Sequence, residues 1–263
     1  MVLYYCTLTL HDNVFFATRE MGILYETEKY LHNWAISFAL FETEYIPRPY
    51  RLGGEMAQKP SYLDRHQEQN LLCLNDVGIY VFPAQPIVWA YQINTFKAAQ
   101  VSYYGISKQF GEKDARRNYP VNYGRAKELA VGSQYRTFIV APDSVELPSQ
   151  KWIRLGKWAA KLQVQIQPIP ESGIAQKSGE FLCQHPLNPL DLPNSTQLVL
   201  YNRIVMPPVS LVSQAKLNGD YWLVAKPSSE QHSPQWSNLT ELPNPICLPR
   251  GAFYGARQSV VAS

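Results

Sequence analysis

The segment Leu162-Gln163-Val164-Gln165-Ile166-Gln167 puts three aliphatic side chains on one face and three glutamines on the other. A strict two-residue period is that of a strand with one buried and one wet face, so this chain must build a sheet around it. Val2 to Leu10 has the same period, with Tyr4, Cys6, Leu8 and Leu10 opposite Leu3, Tyr5, Thr7 and Thr9. Gly78–Phe82, Ile87–Phe96, Tyr135–Val140, Gln197–Met206 and Asp220–Lys226 are further β-prone runs. Helical spacing is clearest for Leu31, Trp34, Ala35, Phe38 and Phe41, which predicts a helix over 28–41 capped by Thr27, with Glu28 in its first turn and His32 in a surface pair with Glu28. A strand followed by a helix is the opening half of a ferredoxin-like unit, and the expected class is α+β with an antiparallel sheet.

A chain of 263 residues, 46% hydrophobic, can bury one substantial core. Twenty prolines favour strands joined by fixed loops; Pro168–Pro193 resists assignment, and the stretch beyond Pro227 is rich in Pro, Ser, Asn and Gln. Cys6, Cys73, Cys183 and Cys247 lie far apart, so reduced, mostly buried thiols are expected rather than a metal or redox site. No apolar run reaches the roughly 20 residues of a membrane helix, and the first residues lack a basic leader, so a cytoplasmic protein is expected.

The net charge of +3 is too small to argue for nucleic acid, but its distribution is uneven. Between residues 97 and 127 stand seven bases, Lys97, Lys108, Lys113, Arg116, Arg117, Arg125 and Lys127, against Glu112 and Asp114. Tyr103, Tyr104, Tyr119 and Tyr123 are interleaved with them. Cations alternating with rings suit a phosphate backbone carrying unstacked bases, and an insertion this long inside a packed domain is usually functional or disordered. Pairing of the runs 87–96 and 135–140 would make this arm the tip of a hairpin on a β scaffold. A second basic segment follows, in which Lys151, Arg154, Lys157 and Lys161 surround Gly156, a residue that leaves room for close approach of an anion.

The sequence has no phosphate-binding glycine loop, no Gly-x-Ser-x-Gly elbow and no His-Glu-x-x-His helix. His11, His32, His66, His185 and His232 show no ligand spacing, so no metal or other cofactor is expected. Tyr103, Tyr104, Lys108 and His66 have the chemistry for metal-independent RNA cleavage through the 2′-hydroxyl, although nothing in their spacing requires it.

Leu8-Thr9-Leu10-His11-Asp12-Asn13-Val14-Phe15-Phe16-Ala17-Thr18-Arg19-Glu20, with Tyr25-Glu26-Thr27-Glu28 and His32-Asn33, resembles the start of the Cas-five-type subunit of type I-D CRISPR Cascade, the Csc-one family. Tyr103-Tyr104-Gly105, Asn118 to Arg125 and Arg154-Leu155-Gly156-Lys157 are similar to the same family. The resemblance implies a single RAMP-type domain over 1–263, with a ferredoxin-like (RRM-like) core, a basic thumb over about 97–134 and an irregular, β-rich and loop-rich C-terminal extension over about 168–263. It implies a non-catalytic subunit that holds the 5′ handle of CRISPR RNA, caps the backbone filament and helps position target DNA near its short adjacent motif. Its implied partners are CRISPR RNA, a Cas-seven-type backbone subunit and a Cas-ten-like large subunit, while relatives in another subtype cut precursor RNA. On this mapping the seven bases of the arm hold phosphates, the four tyrosines stack or wedge, and Arg154, Gly156 and Lys157 line the path of the handle.

Overall fold

The structure, a computed structural model, describes residues 1–41, 62–63, 70–97, 123–227, 236, 239 and 242–257. The chain opens with β1 (Val2–Leu10), β2 (Arg19–Met21), β3 (Leu24–Glu26) and α1 (Asn33–Leu40), followed by α2 (Leu72–Val77), β4 (Tyr80–Val81), β5 (Gln85–Val88) and β6 (Tyr91–Lys97). It resumes with β7 (Tyr123–Leu129), β8 (Gln134–Ala141), β9 (Gln150–Leu155), β10 (Ala160–Pro168) and β11 (Ile174–Cys183), and ends with β12 (Gln197–Ile204), β13 (Leu211–Val224) and β14 (Ile246–Pro249). Most of this is strand.

The two alternating segments become the centre of the main sheet, ordered β4-β8-β1-β10-β9, with β5 also on β8. Cys6, Leu8 and Leu10 stand opposite Ile166, Val164 and Leu162 in register, and all six are buried. This is the face assigned from the period. Both neighbours of β1 run antiparallel to it. In a ferredoxin-like unit the strand reached through the first helix is parallel to the first strand but split from it by an antiparallel one; β4 stands so, with β8 between it and β1, whereas among the described residues no helix connects β8 to β10 as the second half of that unit would need.

Helix α1 starts five residues later than expected, because the residues before it are held extended. Thr27 is buried with its hydroxyl accepting from Phe16 N at 3.0 Å and donating to Phe16 O at 2.9 Å, and Leu31 exchanges backbone hydrogen bonds with Ala84. The cap falls instead to His32, whose Nδ1 accepts from Trp34 N at 3.2 Å. Its Nε2 donates to Val209 O at 3.2 Å, so His32 is a buried cap and not a surface partner of Glu28, which pairs with Arg19 at 2.6 Å. Contacts of α1 with β4 and β9, at opposite ends of the main sheet, lay it across that sheet.

The run 87–96 divides. Its first part joins β5 on β8, and its second becomes β6, paired antiparallel with β7 from Tyr91↔Leu129 to Lys97↔Tyr123. With β3 parallel to β7 and β2 at the edge, this makes a separate four-stranded sheet, β2-β3-β7-β6. The arm therefore departs from the β6/β7 hairpin, and residues 123–129, placed within the arm by sequence, belong to its stem.

Residues 168–263, expected to be an irregular but β-rich extension with strands at 197–206 and 220–226, carry a third sheet, β11-β13-β12 with β14 on β13, and add β11 and the first part of β13 to that expectation. Phe138 of the main sheet meets His185 at 5.0 Å, and residues of both sheets share one apolar core. Cys6 and Cys183 are buried, Cys247 is half-buried, Cys73 is exposed, and all four are free thiols.

Candidate nucleic-acid interface

The stem of the arm is fixed by aromatic packing. Phe96 covers Gly124 so closely that any β-carbon there would penetrate its ring. The Phe96 ring also lies 5.8 Å from Tyr25 and 6.4 Å from Trp158, and Trp158 lies 4.6 Å from Phe15. Trp158 sits in the turn between β9 and β10, so this chain of rings ties the second basic segment to the foot of the arm.

The predicted residues separate here. Arg125, on β7, is exposed. Lys127 is engaged inside the protein, 3.1 Å from the Glu26 carboxylate and 4.3 Å from the centre of the Tyr91 ring. Arg154 is exposed, donating to Ala159 O at 3.1 Å with Asp12 at 3.9 Å, and the Lys157 side chain is exposed in the turn. Lys97 and Tyr123 form the last described pair of the stem. Tyr103, Tyr104, Lys108, Lys113, Arg116, Arg117 and Tyr119 lie outside the described residues, as does His66.

Gly156 has a different use from the one its neighbours suggested. It has φ +80°, and a β-carbon on it would lie 2.7 Å from Phe15 O. The same oxygen accepts from Lys157 N at 2.8 Å, so the space and the amide both serve the protein's own backbone. Gly156→Ala should therefore cost about 1–3 kcal/mol for left-handed strain, plus the clash. Gly132, at φ +82° with nothing within 4 Å of its β-carbon position, supplies the strain-only control. Equal urea midpoints for the two alanine variants would show that Phe15 exerts no such pressure.

A residue not singled out by sequence lies beside Arg154. Trp152 projects from β9, 44% exposed, with Lys161 Nζ 4.2 Å from its ring centre and His11 edge-on at 4.8 Å. The signal was available: in Lys151-Trp152-Ile153-Arg154-Leu155, the period that buries Ile153 and Leu155 turns Trp152 outward with Arg154.

His32 and His185 are buried and hydrogen-bonded within the fold. Burial pushes both His32 and His185 down to about 3, and His185 Nε2 donates to Pro83 O at 2.8 Å. Among the described residues no group of three His, Cys, Asp or Glu side chains is arranged to hold a metal ion.

The sequence matches the model of the family described as type I-D CRISPR-associated protein Cas5/Csc1 over residues 1–257. No curated protein matches it. Among solved structures, a chain of the cryo-EM structure of the Type III-B Cmr-beta bound to cognate target RNA and AMPPnP aligns at 8% identity over 81% of this chain and 86% of that one, with a TM-score of 0.43. The crystal structure of a CRISPR protein from Archaeoglobus fulgidus aligns at 11% identity over 86% and 96%, with a TM-score of 0.36. The family match takes in the N-terminal block, the arm with its stem, and the β9/β10 turn, and the chain belongs to the type I-D CRISPR-associated protein Cas5/Csc1 family.

Proposed function

We propose that this CRISPR effector subunit is a non-catalytic RNA-binding protein that holds the 5′ handle of CRISPR RNA with its basic arm. On this reading the arm is the thumb of a RAMP protein, the subunit caps a backbone of Cas-seven-type subunits beside a Cas-ten-like large subunit, and it helps to position target DNA in the cytoplasm. The observation that carries the reading is the β6/β7 stem, which bears the exposed Arg125 near Arg154 and Lys157 and joins a stretch whose sequence holds four more bases and three tyrosines. A polyanion crossing from arm to turn would meet positive charge on both sides. The main sheet has the split strand-helix-strand order at β1 but no helix between β8 and β10, so the proposal rests on the stem and its charge and not on that topology.

Reversing Arg116, Arg117 and Arg125 to Glu should weaken binding of RNA carrying the repeat-derived handle by tenfold or more (roughly, for three lost phosphate contacts). It should also flatten the slope of log K against log salt by about 2. Unchanged affinity and assembly would remove the arm from the interface. Cleavage of repeat RNA by the purified chain in the presence of chelator would instead establish an endoribonuclease.

A further inference from the structure

We propose that the open face of the main sheet is a second track for single-stranded nucleic acid, with Trp152 as the ring on which a base stacks and Arg154 and Lys161 as its phosphate contacts. This rests on the RNA-binding reading for the class of ligand, and it carries the site from Arg154, which both share, across the sheet away from the arm.

Strand register lays this face out in rows. Arg154 stands opposite Lys161, beside the turn that holds His11 and Asp12. The next row runs Trp152, Gln163, Thr9, Gln134, and the one after it Gln150, Gln165, Thr7, Arg136. One row further, Gln167, Tyr5 and Phe138 come under the third sheet through the contact of Phe138 with His185. The polar rows thus begin where that cover ends.

Charge on this face is one-sided. β1, β8, β9 and β10 contain no Asp or Glu, against Arg136, Lys151, Arg154 and Lys161. Lys151 belongs to the other face, where its Nζ donates to Leu40 O at 2.7 Å. Asp12 is the acid beside the rows, and its Oδ2 already accepts from Lys161 N at 2.8 Å. A polyanion is therefore attracted here without an array of carboxylates to oppose it.

The indole selects among polyanions. A tryptophan serving only to stabilise the sheet would be covered by apolar neighbours. Trp152 has cationic and polar ones, and its row continues in amides and hydroxyls able to donate to and accept from base edges. Four strands span about 14 Å. A sheet of that width is what RRM domains use to stack two or three bases.

The test uses the full chain and a labelled 12-nucleotide single-stranded RNA of mixed sequence without the repeat handle, read by fluorescence anisotropy. Trp152→Ala should weaken binding about tenfold, Trp152→Phe should stay within a few fold of wild type, and Lys161→Glu should weaken binding and flatten its salt dependence. Thermal unfolding of each variant separates a loss of ring from a loss of fold. Unchanged affinity of Trp152→Ala, with weakened binding by the Arg116/Arg117/Arg125 variant, would overturn this track and leave the arm in place. The reverse pattern would keep the track and show that the arm makes no contact with RNA lacking the handle. Unchanged RNA affinity with weakened association of Trp152→Ala with other subunits of the effector complex would make the face a protein interface and overturn the proposal.

Discussion

Asp191→Ala should lower the unfolding free energy by about 3–5 kcal/mol, because it leaves several buried donors without an acceptor. The Asp191 carboxylate is inaccessible to solvent and accepts from Asn33 Nδ2 at 2.7 Å, Trp34 Nε1 at 2.9 Å, Gly255 N at 2.9 Å and the Tyr80 hydroxyl at 3.3 Å. Those groups come from the first turn of α1, from β4 and from the segment 253–257, so one side chain joins three parts of the fold. Burial pushes its carboxyl up to about 6 despite the four donors, which shows that desolvation takes back part of what the hydrogen bonds contribute. The loss is for that reason smaller than the sum of four orphaned donors. Asp191→Asn keeps the shape and one acceptor oxygen while turning an amide donor towards donors, and its loss should fall between wild type and alanine. Urea unfolding decides the matter: the midpoint should drop with the slope unchanged, and an alanine variant within about 1 kcal/mol of wild type would show that the cluster is dispensable.

None of this cluster is visible in the sequence. Asp191 stands in Pro189-Leu190-Asp191-Leu192-Pro193, an ordinary turn string, and its side-chain partners are more than a hundred residues away. Only a closed sheet brings them together. What was legible is local: the period of β10, and of β1 from Cys6 onward, named the buried residues and the more open face, while Leu3 and Tyr5 on that second face of β1 are buried as well. β11 escaped for the same reason in reverse. Most of its side chains are exposed, Leu182 among them, so no sustained alternation marks that strand, and the prolines before and after it resemble loop punctuation. The helix start was misplaced because Thr27 and Glu28 make a good local cap signal, while a bridge between Leu31 and Ala84 keeps the backbone extended past them. Tertiary pairing outweighed a cap contributing about 1 kcal/mol. At the candidate interface the sequence found the charge but not its allocation. Lys127 and Arg125 look alike in the chain, and only strand direction gives the first to Glu26 and Tyr91 and leaves the second exposed.

Acid should destabilise the protein, and two histidines set the direction. His32 and His185 are held neutral, pushed by burial down to about 3, whereas in the unfolded chain they titrate near the ordinary value of about 6.5. Geometry explains why neither accepts a proton easily. Protonating His32 would put a donor against the Trp34 amide that its Nδ1 now accepts from, and His185 Nδ1 is buried without a hydrogen-bond partner. Between pH 6.5 and 3 the unfolded chain therefore carries two more protons than the folded one at these positions, and stability falls as pH falls. Asp191 acts the other way: raised to about 6, its folded carboxyl holds a proton that the unfolded one releases down to about 3.8. From pH 6 to pH 4 the excess is about one proton, a tenfold rise in the unfolding constant for each unit of pH lost, and from pH 7 to pH 4 about a thousandfold. His32→Asn keeps a capping side chain and removes one titrating group, so its stability should be nearly flat from pH 6 to pH 4. Asp191→Asn, weaker at every pH, should be steeper, close to two protons over the same range. Urea midpoints for the three proteins at pH 7, 6, 5 and 4 separate these slopes, and a wild-type stability that rises on acidification would show that the buried carboxyl, not the imidazoles, governs the response.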